Sequence, residues 1–435
     1  MISARPTPFI DAALDAVATP PLAQPPTASP PGALYVHIPF CVSLCPYCDF
    51  VVYPGAATRG PRNRVGAFLG ALRTELCLRA DTLDELWGPP GAERRPALDT
   101  VYLGGGTPSL LPAADVAELL QLVRERFGLA AGAEVTLEAN PGPDGRGDPV
   151  ALAAAGVNRI SFGAQSLDAG ELRRLGRRHR PEDVADAVVH AREAGIASVS
   201  LDLLYDVPRG TLAIWDATLN AALDLAPDHL SLYALTLEDP DAEGLTGPLG
   251  DHLPTTRGAR QWRTRARQGQ DDDRAAAEYE LATRRLADDG WRSYEISNWA
   301  RPGHESRHNL AYWQRRPYEA VGPGAHAFDG VARRWNAARL DGYLAALAPA
   351  DGHTPPTLPP GGSETIDAET AAAESVILAL RLDSGLPMST AAQPPLRGVF
   401  DWAIDSELLV QTADDRVVLT TRGRLLSNEL FARLV

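Results

Sequence analysis

The sequence predicts an α/β protein built on a partial (β/α)6 barrel, followed by a small C-terminal α+β domain. Three observations lead there. From residue 33, short β-rich runs alternate with helical patterns six times, as βα units around a parallel sheet do. After residue 240 the alternation loosens, and a Pro/Gly-rich polar segment over residues 349–364 precedes a last stretch of helix, helix and hairpin. With 435 residues and 45% hydrophobic content, the chain can bury one large core and one small one.

Residues 1–32, ending PPLAQPPTASPPG, have no basic region leading into an apolar one, so they read as a flexible Pro/Ala-rich tail rather than a secretory signal. The six β runs are 34–38, 100–103, 134–138, 159–162, 198–204 and 229–235, each rich in β-branched, Leu or aromatic residues as strands covered on both faces are. Between them, 65–78 and 115–127 repeat apolar residues at three and four, which predicts helices. A closed eightfold barrel would need two more units. The barrel is therefore assigned to 33–300, with 241–270 as an extended loop containing some local helix, and 273–290 as a helix stopped by Gly290. Residues 301–363 read as a connecting region. Residues 364–435 read as a winged-helix-like domain, from helices near 367–382 and 396–406 and a hairpin around 408–420.

No apolar run approaches the ~20 residues of a membrane span, so no transmembrane segment is expected, though peripheral membrane contact is left open. A net charge of −15 repels polyphosphate, and no nucleic-acid partner is expected despite the local basic run 173-RRLGRRHR-180. Four cysteines in a chain of this size do not make a secreted disulfide framework, which points to a cytoplasmic protein with metal or redox chemistry.

Three of the cysteines, Cys41, Cys45 and Cys48, follow the first strand, where such sheets place their sites. A structural zinc site or an all-protein cubane takes four ligands, whereas here one metal would be left open to a small molecule. Inert thiols or a zinc knuckle are the alternatives, and the spacing C-x3-C-x2-C disfavours both. Cys77, inside a helical pattern, reads as a packing residue.

The stretch 37-HIPFCVSLCPYCDF-50 resembles the radical S-adenosylmethionine (SAM) motif, and the likeness continues through GGGTPS, FGAQSLD, LGRRH, YEISNWARPGHESRHNLAYW and GPGAHAF. In that order they resemble HemW-type radical SAM haem chaperones over roughly residues 33–435. The resemblance implies a 4Fe-4S cluster on the three cysteines, with SAM on the fourth iron, where an electron from the cluster could break the sulfonium bond. It also implies haem binding, a haem-acceptor protein and an electron donor. The related oxygen-independent coproporphyrinogen III oxidases carry a further cysteine two residues past the third, where this chain has Phe50. Coproporphyrinogen oxidase activity is therefore not expected, and whether SAM is cleaved is left open. Oxidase and, further off, RNA-modifying radical enzyme are the rival functions.

By the same resemblance, Tyr35 borders SAM and Tyr47 touches adenine. The backbone N–H groups of Gly105, Gly106 and Thr107 reach the methionine end. Glu138 accepts from the cofactor amino group, Gln165 binds the cofactor from just past the fourth strand, Arg177 clasps the carboxylate in a two-pronged contact and Asp202 holds ribose hydroxyls. The family's Gly-Leu-Pro after the fifth strand is replaced by 206-DVP-208, which removes the freedom of glycine from that turn. The run 308-HNLAYW-313 matches a pattern associated with haem, making His308 the candidate axial ligand with Tyr312 and Trp313 as flat apolar surface, and His304 or His326 as substitutes.

Overall fold

The computed structural model describes residues 27–237, 240–348, 353–394 and 396–435. Most of the expected tail, residues 1–26, lies outside the described residues. Residues 27–32 of the expected tail are tied to the folded body, where Ser29 N–H donates to Asp329 O at 2.9 Å and Gly32 N–H to Pro317 O at 3.1 Å.

Strand β1 (Ala33–Ile38) leads into the cysteine loop, whose base is closed by the parallel pair β2 (Phe40–Cys41) and β3 (Tyr53–Pro54). The barrel continues through α1 (Val65–Trp87), β4 (Leu98–Gly105), α2 (Ala113–Arg126), β5 (Leu129–Ala139), α3 (Pro149–Ala155), β6 (Arg159–Gln165), α4 (Ala169–Arg174), α5 (Pro181–Glu193), β7 (Ser198–Tyr205), α6 (Leu212–Asp224) and β8 (His229–Ala234). All six long strands pair in parallel in chain order. Local signals set the joints. Asp148 caps α3 by accepting from Val150 N–H, and Gly156 ends it in the left-handed region that glycine enters without strain.

The strands are not apolar on both faces. Val101 and Leu103, Val135 and Leu137, Ile160 and Phe162, and Leu230 and Leu232 pack against the helices, each large side chain contributing about 1.5–3 kcal/mol. The alternate positions carry Tyr102, Thr136, Glu138, Arg159, Ser161, Ser200, Asp202, His229 and Ser231. A curved sheet with this period-two pattern encloses a polar interior.

Beyond β8 come α7 (Arg257–Arg267), α8 (Asp272–Asp288), and the antiparallel edge β9 (Arg292–Ser293) and β10 (Asn298–Ala300). Then follow α9 (Arg307–Trp313), β11 (Tyr318–Val321), β12 (His326–Phe328), β13 (Ala332–Asn336), α10 (Leu340–Leu347) and β14 (Gly361–Thr365). Here the structure corrects the expected connecting region. β11 pairs in parallel with β1, and β12, β13 and β14 extend the same sheet, twelve strands among the described residues. The glycines that suggested a linker serve close approach instead: a Cβ on Gly361 would sit 1.8 Å from Trp335 O.

The remainder comprises α11 (Ala368–Arg381), β15 (Leu386–Pro387), α12 (Met388–Ala391), α13 (Arg397–Asp405), β16 (Leu409–Gln411), β17 (Arg416–Leu419), α14 (Thr421–Leu425) and α15 (Ser427–Phe431). Its three-stranded sheet surrounds a separate apolar cluster including Val376, Phe400 and Val417. No helix among the described residues is long and apolar enough to cross a membrane.

Asp206 adopts the left-handed conformation that the missing glycine would have supplied, with φ at 53°. Its N–H donates to Glu278 Oε2 at 2.7 Å and its carboxylate pairs with Arg274, contacts that hold a backbone costing about 1–2 kcal/mol.

Candidate functional site

The polar inner face opens into a cavity of about 910 Å³, walled at the C-terminal edge of the strands by the cysteine loop. Cys41, Cys45 and Cys48 all line it, and each is part-exposed. The loop is held at several points. His37 Nε2 bonds Val51 O at 2.8 Å, and the Thr58 hydroxyl donates to Cys41 O at 2.9 Å. The buried Arg263 donates to Pro46 O at 3.2 Å, Tyr47 O at 3.4 Å and Cys48 O at 2.9 Å.

Burial pushes the Cys41 thiol up to about 11, and burial with the neighbouring thiols pushes Cys48 higher still. Alone, these two sulfurs stay protonated at neutral pH, whereas iron would supply the positive charge that makes them thiolates. No three His, Cys, Asp or Glu side chains among the described residues converge on a single metal ion. A cluster asks for something else, since each thiolate meets its own iron. The donor set thus suits a cluster better than one zinc ion. Phe50, 63% exposed, stands on the cavity wall at the position where an oxidase would carry a further thiol. Cys77 is half-buried on α1 and is not among the cavity-lining residues.

Gly105, Gly106, Thr107, Tyr47, Glu138, Gln165, Arg177 and Asp202 all line this cavity. The glycine loop acts differently from expectation, because its N–H groups are already committed. Gly105 donates to Glu138 Oε2 at 2.9 Å, Gly106 to Ile38 O at 2.9 Å and Thr107 to Phe40 O at 2.8 Å. Glycine is needed for packing: a Cβ on Gly106 would lie 2.7 Å from both Ile38 O and Phe40 O. Thr107 Oγ1 sits 3.4 Å from Cys41 Sγ and accepts from Asn140 Nδ2 at 2.9 Å.

Glu138 Oε1 accepts from the Tyr102 hydroxyl at 2.8 Å. Burial, with the Asp202 charge nearby, raises its carboxyl to about 7 against these two hydrogen bonds. Asp202 accepts from Ser161 Oγ at 3.0 Å, and burial raises its pKa too. Gln165 has φ at 65°, a left-handed non-glycine residue beside a register shift between β6 and β7, the kind of strain that collects at sites.

Arg177 donates to Cys45 Sγ at 3.4 Å, to Gly163 O at 2.7 Å and to Asn140 Oδ1. Both forks of its guanidinium share the nitrogen bound to Asn140 and Gly163, so a two-pronged clasp of a carboxylate requires surrendering one of those bonds. The expected surface patch 173–180 is likewise divided, with His179 buried on Ala164 O at 3.0 Å.

Two expected residues are not brought to the cavity wall. Tyr35 turns its hydroxyl to His37 Nδ1 at 3.0 Å and packs behind Tyr102, which takes the lining position. His308 is only 1% exposed, with Nδ1 on Thr100 Oγ1 at 2.7 Å and Nε2 on the Tyr312 hydroxyl at 2.8 Å. Burial and the Arg159 charge lower its pKa to about 3. Both ring nitrogens are thus engaged, and His308 braces β4 from behind the cavity lining. Trp313 lies under the Arg381 guanidinium at 4.2 Å. His304 is half-buried near Asp228, and His326 is exposed, with Nε2 on Asp251 Oδ2 at 2.8 Å and its ring against Trp335.

Sequence reasoning missed Tyr102, Asn140, Arg159, His229 and Arg263. The strand residues among them were signalled by polar-apolar alternation, as in 159-RISF-162. Arg263 was masked because α7 buries Ala259, Arg263 and Ala266, a helical spacing without large apolar residues.

A radical SAM superfamily model matches residues 35–219. The heme chaperone HemW of Mycobacterium tuberculosis (strain ATCC 25618 / H37Rv) is 38% identical over 402 residues, covering 92% of this chain and 94% of that protein. The heme chaperone HemW of Bacillus subtilis (strain 168) is 30% identical over 405 residues, covering 91% and 97%. In fold, the chain is similar to the coproporphyrinogen III oxidase HemN of Escherichia coli, with a TM-score of 0.72 at 23% identity over 96% of this chain and 92% of that one.

Proposed function

Since the chain belongs to the HemW family of radical SAM proteins, whose superfamily carries a 4Fe-4S cluster and SAM, we propose that it binds haem and passes it to an acceptor protein. Cys41, Cys45 and Cys48 would hold the cluster. When bound, the cluster supplies an electron at the sulfonium end of SAM. The chain's own contribution is position and charge. Arg263 and His37 fix the cysteine loop, Arg177 sets a cation beside Cys45, and Tyr47, Gln165, Glu138 and Asp202 line the space next to them. With a carboxyl near 7, Glu138 can hold or release a proton close to neutral pH, and its second lone pairs can accept from an ammonium group.

The observation that carries the cluster assignment is the cavity wall bearing three thiols and, at position 50, an exposed phenyl ring. That wall also disfavours the oxidase reading, for which the structural likeness speaks to fold alone. Haem titration beside an anaerobic assay with coproporphyrinogen and SAM separates carrier from catalyst. Stoichiometric haem uptake, transfer to an acceptor and no protoporphyrinogen are expected; catalytic turnover would overturn the carrier reading. Cys45→Ala should lose the reconstituted iron and sulfide, and an unchanged content would remove Cys45 from the ligand set.

A further inference from the structure

Four arginines among the described residues are almost wholly buried: Arg79, Arg95, Arg159 and Arg263. Three have protein acceptors. Arg79 meets Glu75 and Asn336, Arg95 pairs with Asp84, and Arg263 bridges the cysteine-loop carbonyls. Arg159, 3% exposed, makes no hydrogen bond or ion pair with any described residue, and its Nε is buried without a partner. It lines the cavity. A buried guanidinium whose Nε has no acceptor is costly, and an anion in the cavity completing the site would remove that cost.

Among the described residues no carboxylate pairs with it directly. His229 and His308 both have pKa values lowered by burial and by Arg159, so they are neutral at pH 7. Tyr102 and Tyr294 are buried phenols, and Asp202 feels the charge but lies beyond ion-pair distance, its oxygens engaged with Ser161. Arg159 opens β6 and Gln165 closes it, so about 20 Å of strand separates this end of the cavity from the end bearing the cysteine loop. Glu138, the expected SAM contact, lies opposite Ser161, two residues along β6 from Arg159, so a SAM titration separates a methionine carboxylate from a second ligand.

We infer that Arg159 is a carboxylate-binding residue for a second ligand, occupying the end of the cavity away from the cysteines. Its identity rests on the haem-carrier reading: the carboxylate is a porphyrin propionate. A guanidinium fork matches a carboxylate in two parallel hydrogen bonds, and the ring of Tyr102, level with Arg159 across β4, β5 and β6, suits the edge of a macrocycle.

The test titrates the full chain with haem, haem dimethyl ester and SAM, comparing wild type with Arg159→Gln and Arg159→Lys. Arg159→Gln should weaken haem about ten- to a hundredfold, leaving the ester and SAM unchanged, with Arg159→Lys between. Equal haem affinity in wild type and Arg159→Gln, an equal loss for the ester, or a loss confined to SAM would each overturn the inference. If Arg159→Gln does not fold, Arg159→Lys, which keeps the charge and loses the fork, carries the same comparison. A wild type that takes up neither porphyrin removes the carrier reading and this assignment with it; wild-type haem uptake beside an indifferent variant removes the assignment alone.

Discussion

Replacing Arg263 by Met keeps the apolar stem that fills the space under the cysteine loop and deletes the donors to its carbonyls. The bond to Cys48 O at 2.9 Å is full strength, that to Pro46 O at 3.2 Å is weaker, and that to Tyr47 O at 3.4 Å is marginal. A charged hydrogen bond contributes about 1.5–3 kcal/mol, so roughly 3 kcal/mol of loop anchoring is lost overall, about a hundredfold in the balance between held and released loop. That loss falls on the segment bearing Cys45 and Cys48. Arg263→Met should therefore bind less iron and sulfide on anaerobic reconstitution and surrender iron to a chelator faster, with Arg263→Lys recovering part of the resistance. A Met variant that retains wild-type iron and chelator resistance would refute the anchoring role.

Three further expectations concern the same walls. Gly106→Ala places a Cβ against the carbonyls of Ile38 and Phe40, which cannot move aside without shifting β1, so stability should fall by about 1–3 kcal/mol and cluster uptake with it; denaturant melts and iron content would show this, and an unperturbed variant would contradict the close approach. Glu138 has its folded pKa raised from 4.5 to about 7, so its contribution is fully present below pH 4.5 and is lost as pH rises through 7, about 3 kcal/mol in all. Unfolding midpoints of cofactor-free protein should decline across that window, and Glu138→Gln should flatten the decline; parallel slopes for the two proteins would sink the assignment. His308→Ala leaves the Thr100 and Tyr312 hydroxyls unpaired and opens a void, costing about 3 kcal/mol while haem affinity of the folded variant is unchanged. A variant of full stability that no longer binds haem would restore His308 as a ligand.

The six parallel strands, α1, α2 and α8, and the terminal helices and hairpin were legible because each carries its own pattern: β-rich runs, apolar residues at three and four, and turn residues between. Strands β11 to β14 were not. They are short, their glycines mimic a linker, and the strand that anchors them, β11, is fixed by pairing with β1, a partner some 280 residues away in sequence, with β12, β13 and β14 added to it in turn. Hydrogen-bonded partners across such a separation leave no local trace in composition.

For the site, sequence alone determined the three clustered thiols and the absence of a cysteine at position 50, because ligand type and spacing are properties of a contiguous segment. Only tertiary structure decided what each nearby group is free to do. The N–H groups of the glycine loop are spent on neighbouring strands, His308 has both nitrogens occupied, Tyr35 is screened by Tyr102, and Arg159, alone among the buried arginines of the described residues, is left without an acceptor. A side chain's chemistry is written in its residue type, but its remaining hydrogen-bonding capacity depends on which distant atoms the fold brings within about 3 Å of it.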